Sequence, residues 1–402
     1  MRERVVVTGL GAVTPLGNDV PSFWTGLTEG RSGVGPITAY DTSGEAVRIA
    51  AEVKDFDAAA LLGRKQARRT DRFTHLALVA AAEAVADAGL TFDDTGNDNN
   101  VGVILGTGIG GICTLLNNAQ VRSTRGSRRV SPLMVPMMMA NAAAGEVAIR
   151  YGLHGQTMAL ASACATGNNA IGEGARFIRE GSADVMICGG SESAVHPLAL
   201  AALSNMQALS SRNDEPARAS CPFDAERDGF VLGEGAGVLI LESLTHAQRR
   251  GARSYAEVAG YGTSTDAFHI TAPDQNGAGA ILSMERALHD AGLEPEKIDY
   301  LNAHGTSTPL NDATETRAIR QVFGEYAYRL PISSTKSMIG HLMGSAGAVE
   351  AVACIKSLET GVIHPTINQE NPDPECDLDY IPLVGRTNRF QHALKLSVAF
   401  GG

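Results

Sequence analysis

The sequence predicts an α/β fold made of two similar halves. The residues Asp-Ala-Gly-Leu end a helical stretch at 87–90 and recur at 290–293, at the end of a second helical stretch. A loop, an apolar strand and a turn of small residues follow in both places. The runs 183–190 and 394–402 are a second matched pair, each an apolar strand ending in two glycines. The shared order of elements indicates duplication, so we expect functional groups where the turns of both halves meet.

Apolar periodicity predicts the individual elements. They are, in chain order, strand 5–7, helix 75–88, strand 101–105, strand 158–161, a helix with Ile171, Ala175 and Ile178 on one face, strand 183–190, helix 278–290 and strand 298–303. A segment of about 115–155 interrupts the first half and carries several arginines and a methionine-rich run. We expect those methionines to fill the core or to form a subunit contact; the alternative is that they line an apolar channel.

The composition indicates a globular protein and argues against several classes. The chain has 402 residues, is 44% hydrophobic and carries a net charge of −11, which disfavours nucleic acid as a partner. No apolar run is long enough for a bilayer, and no signal pattern precedes the first strand, so we expect no membrane association. The six cysteines have neither zinc nor disulfide spacing, which predicts reduced thiols, a cytoplasmic location and no metal.

Cys164 lies at a predicted strand-to-helix elbow, in the run Ser162-Ala163-Cys164-Ala165-Thr166. Unpaired backbone N–H groups and the positive end of the helix dipole lie there, and both favour thiolate over thiol. A free cysteine is also commonly a small buried hydrophobic residue. This segment alone leaves the roles of nucleophile and core filler open.

Two histidines follow small-residue patterns in the second half. His304 comes directly after the strand 298–303 and before a turn of small residues, where it would face a cleft; a hydrogen-bonded structural histidine is the alternative. The apolar spacing around His341 places it in the opening turns of a buried helix. Glycines at 340, 344 and 347 each cost such a helix about 1 kcal/mol relative to alanine. Their presence therefore indicates that another backbone approaches closely.

Taken together, these motifs resemble the β-ketoacyl-[acyl-carrier-protein] synthases of the elongating, type II, Cys-His-His kind. The matching segments are Ser162–Cys164, Asn302–Thr306, Lys336–His341, Pro222–Asp224 with Arg227–Phe230, Gly233–Gly237 and Phe400–Gly402. The resemblance runs from Val5 to the last residue. It implies a thiolase-like fold of two βαβαβαββ halves in an α/β/α/β/α layered arrangement, divided into residues 1–252 and 253–402.

The resemblance also implies a reaction and a set of site residues. The reaction is the decarboxylative condensation of malonyl-acyl-carrier-protein with an acyl group held on Cys164. His304 and His341 would stabilise the enolate, and the backbone N–H groups of Cys164 and Phe400 would form the oxyanion hole. The further implied roles are Lys336 orienting His341, Glu350 supporting Lys336, Thr306 and Thr308 contacting phosphopantetheine, and Ile109 and Phe400 gating the acyl pocket.

Acyl carrier protein is the implied partner, malonyl and acyl thioesters are the implied substrates, and a homodimer without a cofactor is the implied assembly. Basic residues cluster at Arg64, Lys65, Arg68, Arg69 and Arg72. A solvated helix face is one interpretation, and the resemblance favours carrier docking through Lys65, Arg68 and Arg69. A polyketide-type ketosynthase and a non-catalytic carrier-binding subunit are the alternative functions, and the thiol reactivity of Cys164 separates the latter.

The chain departs from the family pattern at four positions. Asn311 replaces a glycine, where we expect a left-handed turn that asparagine tolerates. Cys221 replaces an arginine, which would remove a surface salt bridge. Leu396 and Val398 replace a polar and an aromatic residue before Phe400, so the hydrogen bonding near that gate would differ. The resemblance further implies a strand of about five or six residues after Gly402.

Overall fold

The computed structural model describes residues 3–92 and 100–401. The strands in this part of the chain are β1 (Val5–Val13), β2 (Gly35–Pro36), β3 (Ile49–Ala50), β4 (Val101–Gly106), β5 (Thr157–Met158), β6 (Val185–Glu192), β7 (Gly235–Ser243), β8 (Ala256–Glu257), β9 (Tyr300–Asn302), β10 (Ile332–Ser333), β11 (Val362–Ile363), β12 (Arg386–Thr387) and β13 (Ala393–Lys395).

The α-helices of the same residues are α1 (Val20–Thr28), α2 (Ala58–Leu62), α3 (Arg64–Ala67), α4 (Arg72–Asp87), α5 (Ile112–Arg125), α6 (Met134–Met138), α7 (Ala142–Tyr151), α8 (Thr166–Arg179), α9 (Pro197–Asn205), α10 (Leu244–Arg249), α11 (Ala278–Ala291), α12 (Pro309–Phe323), α13 (Lys336–Ile339) and α14 (Ala346–Thr360). Among the residues described, none of these helices is both long enough and apolar enough to cross a membrane.

The repeated Asp-Ala-Gly-Leu motif ends two helices in the same way. Gly89 follows α4 with a φ of 62°, and Gly292 follows α11 with a φ of 65°. Both values lie in the left-handed region, where glycine pays no steric penalty. The next residue of each motif, Leu90 or Leu293, donates its N–H to a carbonyl five residues back in the helix. The repeat therefore encodes a helix stop, and it precedes the central strand of each half.

The larger sheet has the strand order β5-β4-β6-β7-β1-β8. Strands β5, β4 and β6 are parallel, whereas β7 and β1 run antiparallel to their neighbours. Alternate residues of β6 enter different cores: Val185 and Ile187 pack in the cluster with α4 and α7, and Met186 and Cys188 pack in the cluster with α8 and α14. Helices thus cover both faces of this sheet, which explains its continuous apolar strands.

The smaller sheet repeats the parallel part of the larger one. Its order is β10-β9-β13, with both pairs parallel, which matches β5-β4-β6. Tyr300 of β9 shares a core with Cys354 of α14, and Leu301 shares another with Met284 of α11 and Ile319 of α12. The layers are therefore α4 and α7, the larger sheet, α8 and α14, the smaller sheet, and α11 and α12. The predicted α/β/α/β/α arrangement is confirmed.

The two halves differ at the antiparallel edge. In the larger sheet β7 lies between β6 and β1. At the corresponding place beside β13, a groove of about 860 Å³ lies between the segments 255–265 and 390–401. Residues 396–401 form no strand, and Gly402 lies outside the described residues. Apart from the short α13 and the separate pair β11 and β12, the described second half thus runs β8-α11-β9-α12-β10-α14-β13, or βαβαβαβ. The division at 252/253 falls in the loop between α10 and β8 and stays a prediction.

The segment predicted as an insertion contains α5, α6 and α7. Helix α7 packs on the larger sheet through Ala143, Ala144 and Val147. Helix α6 buries none of its residues, and α5 buries only Thr114. The methionines of this segment therefore do not fill the core of this chain, so of the predicted roles only subunit contact and channel lining remain.

Candidate active site

Two sharp elbows contact each other at the centre of the molecule. Ala163 and Met343 each have a φ of 47°, a value that is uncommon for residues with a side chain. Each begins a 3₁₀ turn, and the turns lead directly into α8 and α14. Cys164 and Gly344 occupy matching positions in these turns. The duplication thus brings one turn of each half together, as the repeat predicts, and only the first carries a thiol.

Cys164 is buried at this meeting point. The residue is only 4% exposed, and its Sγ lies 3.0 Å from Nε2 of His341. The backbone N–H of Phe400 also donates to this sulfur. One ligand-type atom each from Cys164, His304 and His341 lies within 4.8 Å of the others. The structure therefore brings together the three residues that the motifs predicted.

Hydrogen bonds fix which nitrogen of each imidazole carries the proton. The backbone N–H of Met343 donates to Nδ1 of His341 over 3.2 Å, so the proton of the neutral ring lies on Nε2. Lys336 Nζ lies 3.3 Å from Nδ1 of His304 and donates to it, which places that proton on Nε2 as well. Both rings are therefore N–H donors toward the space beside Sγ. A protonated Nε2 has no free lone pair, so this arrangement does not suit metal ligation.

Lys336 links His304 to a buried carboxylate. Its Nζ donates to Oε1 of Glu350 over 2.6 Å and to the carbonyl oxygen of His304 over 2.6 Å. Lys336 and Glu350 are both buried. The resemblance implied that Lys336 orients His341, and this was wrong: the hydrogen bonds of Lys336 go to His304. The backbone at Met343 orients His341 instead.

Burial decides the protonation states of the site. It lowers the pKa of His304 and His341 well below 6.5, and the charge of Lys336 adds to the effect on both rings. Both imidazoles are therefore neutral at physiological pH. Burial also raises the pKa of Cys164 to about 11, while Lys336 and the Phe400 N–H act in the opposite direction. The expected preference for thiolate is thus outweighed by desolvation, and the resting group is a thiol.

His341 does not lie in the opening turns of a helix, as its spacing predicted. It lies in a break between α13 and α14, where Gly340 has a φ of 66° and the His341 N–H donates to the carbonyl of Val231 over 2.7 Å. The glycines do mark close backbone approach. A Cβ atom on Gly344 would lie 2.2 Å from the nitrogen of Gly108.

Glu192, at the end of β6, was not identified from the sequence. It is fully buried and accepts hydrogen bonds from the N–H groups of Gly108 and Gly344 over 2.6 and 3.0 Å. It also accepts, over 3.3 Å, from the N–H of Ile109, the predicted gate residue, whose side chain is exposed. Glu192 therefore ties the Ile109 loop to the turn that follows His341. A charged residue among the small residues of this strand was the available signal.

The loop after β9 is held by two acidic residues of α12. Glu315 accepts from the N–H groups of His304 and Gly305, and Asp312 accepts from the N–H of Thr306. Burial raises the pKa of Glu315 to about 7. The hydroxyl groups of Thr306 and Thr308 lie 2.9 Å apart. These acids fix the backbone that carries His304 and the predicted phosphopantetheine contacts.

The structure corrects two of the expected effects of the departures. Asn311 lies in the first turn of α12 and is helical rather than left-handed, and its amide donates to Asp312 and Glu315. Cys221 is buried beside Ser307, so no surface salt bridge belongs at its position. Leu396 is buried and donates its N–H to Asn302, whereas Val398 is half-buried.

The basic cluster divides into two environments. Lys65, Arg68 and Arg69 are exposed on and just after α3. Arg72 turns inward and forms an ion pair with Glu234 over 2.6 Å. The five positive side chains therefore do not share one face. The exposed residues lie outside the buried site, as a docking surface would.

The fold and the site together define a condensing enzyme of the thiolase-like class. Family models match at two places: "Beta-ketoacyl synthase, N-terminal domain" over residues 2–247 and "Beta-ketoacyl synthase, C-terminal domain" over residues 255–370. These matches cover most of the chain, and the chain belongs to the β-ketoacyl synthase family.

Relatives and solved structures agree with this membership. A 3-oxoacyl-[acyl-carrier-protein] synthase 2 of Synechocystis is 52% identical over all of this chain and 96% of its own length. The protein of the same name from Coxiella burnetii is 47% identical over all of this chain and 97% of its own. Two solved structures each cover all of this chain and 97% of their own at 38% identity. They are the ishigamide ketosynthase/chain length factor, with a TM-score of 0.93, and a type II PKS acyl-carrier protein in complex with its ketosynthase, with a TM-score of 0.91.

Proposed function

We propose that this enzyme condenses malonyl-acyl-carrier-protein with an acyl group on Cys164 and produces 3-oxoacyl-acyl-carrier-protein in fatty acid elongation. The observation that carries the proposal is the arrangement of two neutral imidazole N–H donors beside one buried thiol. Preorganised donors at the place where negative charge develops are the largest single contribution in many enzymes. The curated relatives with this name, at 47–52% identity, support the same reaction.

In the first half-reaction, Cys164 takes the acyl group from its carrier. Its sulfur adds to the thioester carbonyl, and the resulting oxyanion accepts hydrogen bonds from the backbone N–H groups of Cys164 and Phe400. The bond to the carrier sulfur then breaks, and that sulfur takes the thiol proton. Because the pKa of Cys164 is about 11, proton removal is part of this step rather than complete beforehand.

In the second half-reaction, the malonyl group loses CO2. The electron pair of the broken carbon–carbon bond forms an enolate, whose oxygen accepts hydrogen bonds from Nε2–H of His304 and His341. The enolate carbon attacks the acyl thioester, and the bond to Cys164 breaks. The released thiolate takes a proton from solvent, and this is the one proton that the overall reaction consumes. Neutral rings suit this role because the donors must be present before charge develops.

A direct assay tests the proposal. Purified enzyme is mixed with malonyl-carrier protein and a series of acyl-carrier proteins, and the carrier-bound products are identified by mass spectrometry. Products two carbons longer than the acyl primer, with a 3-oxo group, are expected. Neither transfer to Cys164 nor condensation would occur in a non-catalytic carrier-binding subunit.

A polyketide-type ketosynthase is the second candidate, because one of the 38%-identical solved neighbours is a type II PKS ketosynthase bound to a hexaketide. The primer separates the two functions. An elongation enzyme should use saturated acyl-carrier proteins and reject 3-oxoacyl primers, since the oxo group is reduced before the next cycle. Repeated extension of a 3-oxoacyl primer would favour the polyketide function.

The exposed residues Lys65, Arg68 and Arg69 are proposed to dock the acidic carrier protein. Their charge opposes the net charge of −11, so local attraction would steer the carrier to this face. Reversal of Arg68 and Arg69 to glutamate should raise KM for carrier-linked substrates about tenfold and reduce its salt dependence. Pantetheine-linked substrates should be unaffected.

The matched control for docking reverses the exposed Lys297 and Arg329 to glutamate, which changes the net charge equally on the side of the smaller sheet. This control should keep KM within about twofold. Equal KM values for the two double variants would place docking elsewhere.

Ile109 and Phe400 are proposed to gate the acyl pocket, and Thr306 and Thr308 to contact the phosphopantetheine arm. Exposed apolar side chains are concentrated in the α5–α7 segment and support a homodimer there, because such residues are typical of interaction surfaces. They are Leu115, Leu133, Val135, Met139 and Ile149. Sedimentation of the wild type and of Val135→Glu with Ile149→Glu tests the dimer: the double variant should sediment as a monomer. A dimer that persists would show that this segment is not the interface.

A further inference from the structure

We propose that Lys395 is a positioning residue for the condensation. Its ammonium group holds Oε2 of Glu350, the carboxylate oxygen that does not accept from Lys336, and it fixes the segment that leads to Phe400. The inference rests on the proposed function and adds to it a residue to which the sequence analysis assigned no role.

Lys395 is the last residue of β13, and its side chain is only 10% exposed. Its Nζ lies 2.7 Å from Oε2 of Glu350. It also donates to the carbonyl oxygen of Leu396, and to Oγ of Ser397 over 3.2 Å. Lysine is almost never buried without a charged partner. The three oxygen contacts therefore form a built site for this ammonium group.

Glu350 needs this second cation because Lys336 has no hydrogen left to give. The three ammonium hydrogens of Lys336 serve Oε1 of Glu350, the carbonyl oxygen of His304 and Nδ1 of His304. Oε2 of Glu350 is buried and, among the described residues, has no aligned hydrogen-bond donor. The ion pair with Lys395 compensates that oxygen, since an uncompensated charged oxygen would be costly at this depth.

The charge of Lys395 also acts on the histidines. Two ammonium groups and one carboxylate leave one net positive charge in this cluster. That charge disfavours a second proton on His304 or His341, and it contributes to the lowered pKa of both rings. Positive charge fixed beside the enolate stabilises the transition state of decarboxylation. Lys395 thus acts on the reaction through Glu350 and through the field, without touching substrate.

Lys395 further connects the two backbone segments of the site. Leu396, whose carbonyl Lys395 contacts, donates its N–H over 3.0 Å to the carbonyl of Asn302, two residues before His304. The same segment continues to Phe400, whose N–H reaches the sulfur of Cys164. Loss of the ammonium group should therefore loosen both the lysine–glutamate pair and the oxyanion hole.

The test compares Lys395→Met, Lys395→Ala and the wild type in separate assays of CO2 release and Cys164 acylation. Lys395→Met should lower kcat for CO2 release about 10- to 100-fold, with KM for malonyl-carrier protein changed less than about threefold. Propylammonium ions match the atoms removed in Lys395→Ala. They should raise the rate of CO2 release by that variant at least about tenfold. The neutral analogue 1-propanol should restore none. Lys356→Met removes a half-buried lysine that pairs with Glu359 outside the site, and it should stay within about twofold of the wild type.

The outcomes are separable. An inactive wild type would contradict the proposed function itself. An active wild type with Lys395→Met within about threefold of it would overturn only the role of Lys395, as would equal rescue by propylammonium and 1-propanol. Thermal unfolding monitors folding of each variant. If neither variant of Lys395 folds, the residue serves folding rather than positioning, and the proposal is wrong.

Discussion

Replacement of His341 by alanine should separate CO2 release from acyl transfer. The Nε2–H of His341 lies 3.0 Å from the sulfur of Cys164, and the N–H of Met343 holds the ring in this tautomer. The ring is neutral, because burial and Lys336 lower its pKa well below 6.5. It therefore acts as a fixed donor and not as a base that removes the thiol proton.

The structure sets the expected magnitudes. The enolate oxygen would lose one of its two imidazole donors, and removal of one such donor typically slows a reaction about 10²- to 10³-fold, or about 2.7–4 kcal/mol. In acyl transfer, Cys164 would lose one donor but keep the Phe400 N–H and the field of Lys336. A single hydrogen bond to a charged group contributes about 1.5–3 kcal/mol. The lower value corresponds to a loss of about tenfold, which is the slowing expected for acylation.

The assay follows the two steps separately. Release of labelled CO2 from malonyl-carrier protein measures decarboxylation, and intact-protein mass spectrometry measures acylation of Cys164. His341→Asn keeps an N–H donor and should recover part of the lost CO2 release. His196→Ala, which removes the side-chain cap of α9, is the histidine control and should leave both steps unchanged. Equal losses of acylation and CO2 release in His341→Ala would refute this division of roles.

Two further predictions concern the thiol and the close approach of the elbows. Because the pKa of Cys164 is about 11, its alkylation by iodoacetamide should rise about tenfold per pH unit from 7 to 10; a plateau near pH 9.5, typical of an ordinary thiol, would contradict this. Gly344→Ala should lower the free energy of unfolding by about 1–3 kcal/mol, because the new Cβ would meet the backbone of Gly108. In chemical denaturation, the control Gly145→Ala, a helical position with open space, should stabilise by about 0.5–1 kcal/mol, and an equal change in both variants would be inconsistent with the contact.

The repeat predicted two similar α/β halves, and the resemblance that the motifs carry implied the layers and the three central side chains. The Asp-Ala-Gly-Leu helix stops and the elbow at Cys164 depend on local sequence, so the pattern contained them. His341 was misplaced because its apolar spacing is helical while Gly340 and Met343 adopt left-handed conformations. Such backbone choices follow from the contacts of the second elbow with the first, which periodicity does not describe.

Charged residues that act at a distance along the chain were harder to predict. Arg72 belonged by spacing to the basic cluster, yet its partner Glu234 is 162 residues away. Glu192 and Lys395 end strands of apolar or small residues, where a buried charge is costly, and that cost was the available signal. Glu192 accepts from Gly108 and Gly344, which are 84 and 152 residues away, and Lys395 pairs with Glu350 on another element, so only the fold shows what they hold.

The most direct test of the account is Cys164→Gln. Glutamine fills the elbow without a nucleophile and leaves His304, His341 and Lys336 in place. We predict that this variant forms no acyl-enzyme and no 3-oxoacyl product, yet releases CO2 from malonyl-carrier protein within about tenfold of the wild-type rate. Cys113→Ser, which alters a half-buried thiol outside the site, should keep both activities. Condensation that persists in Cys164→Gln, with the acyl group on Cys113 or Cys188, or CO2 release that vanishes together with condensation, would contradict the central claim.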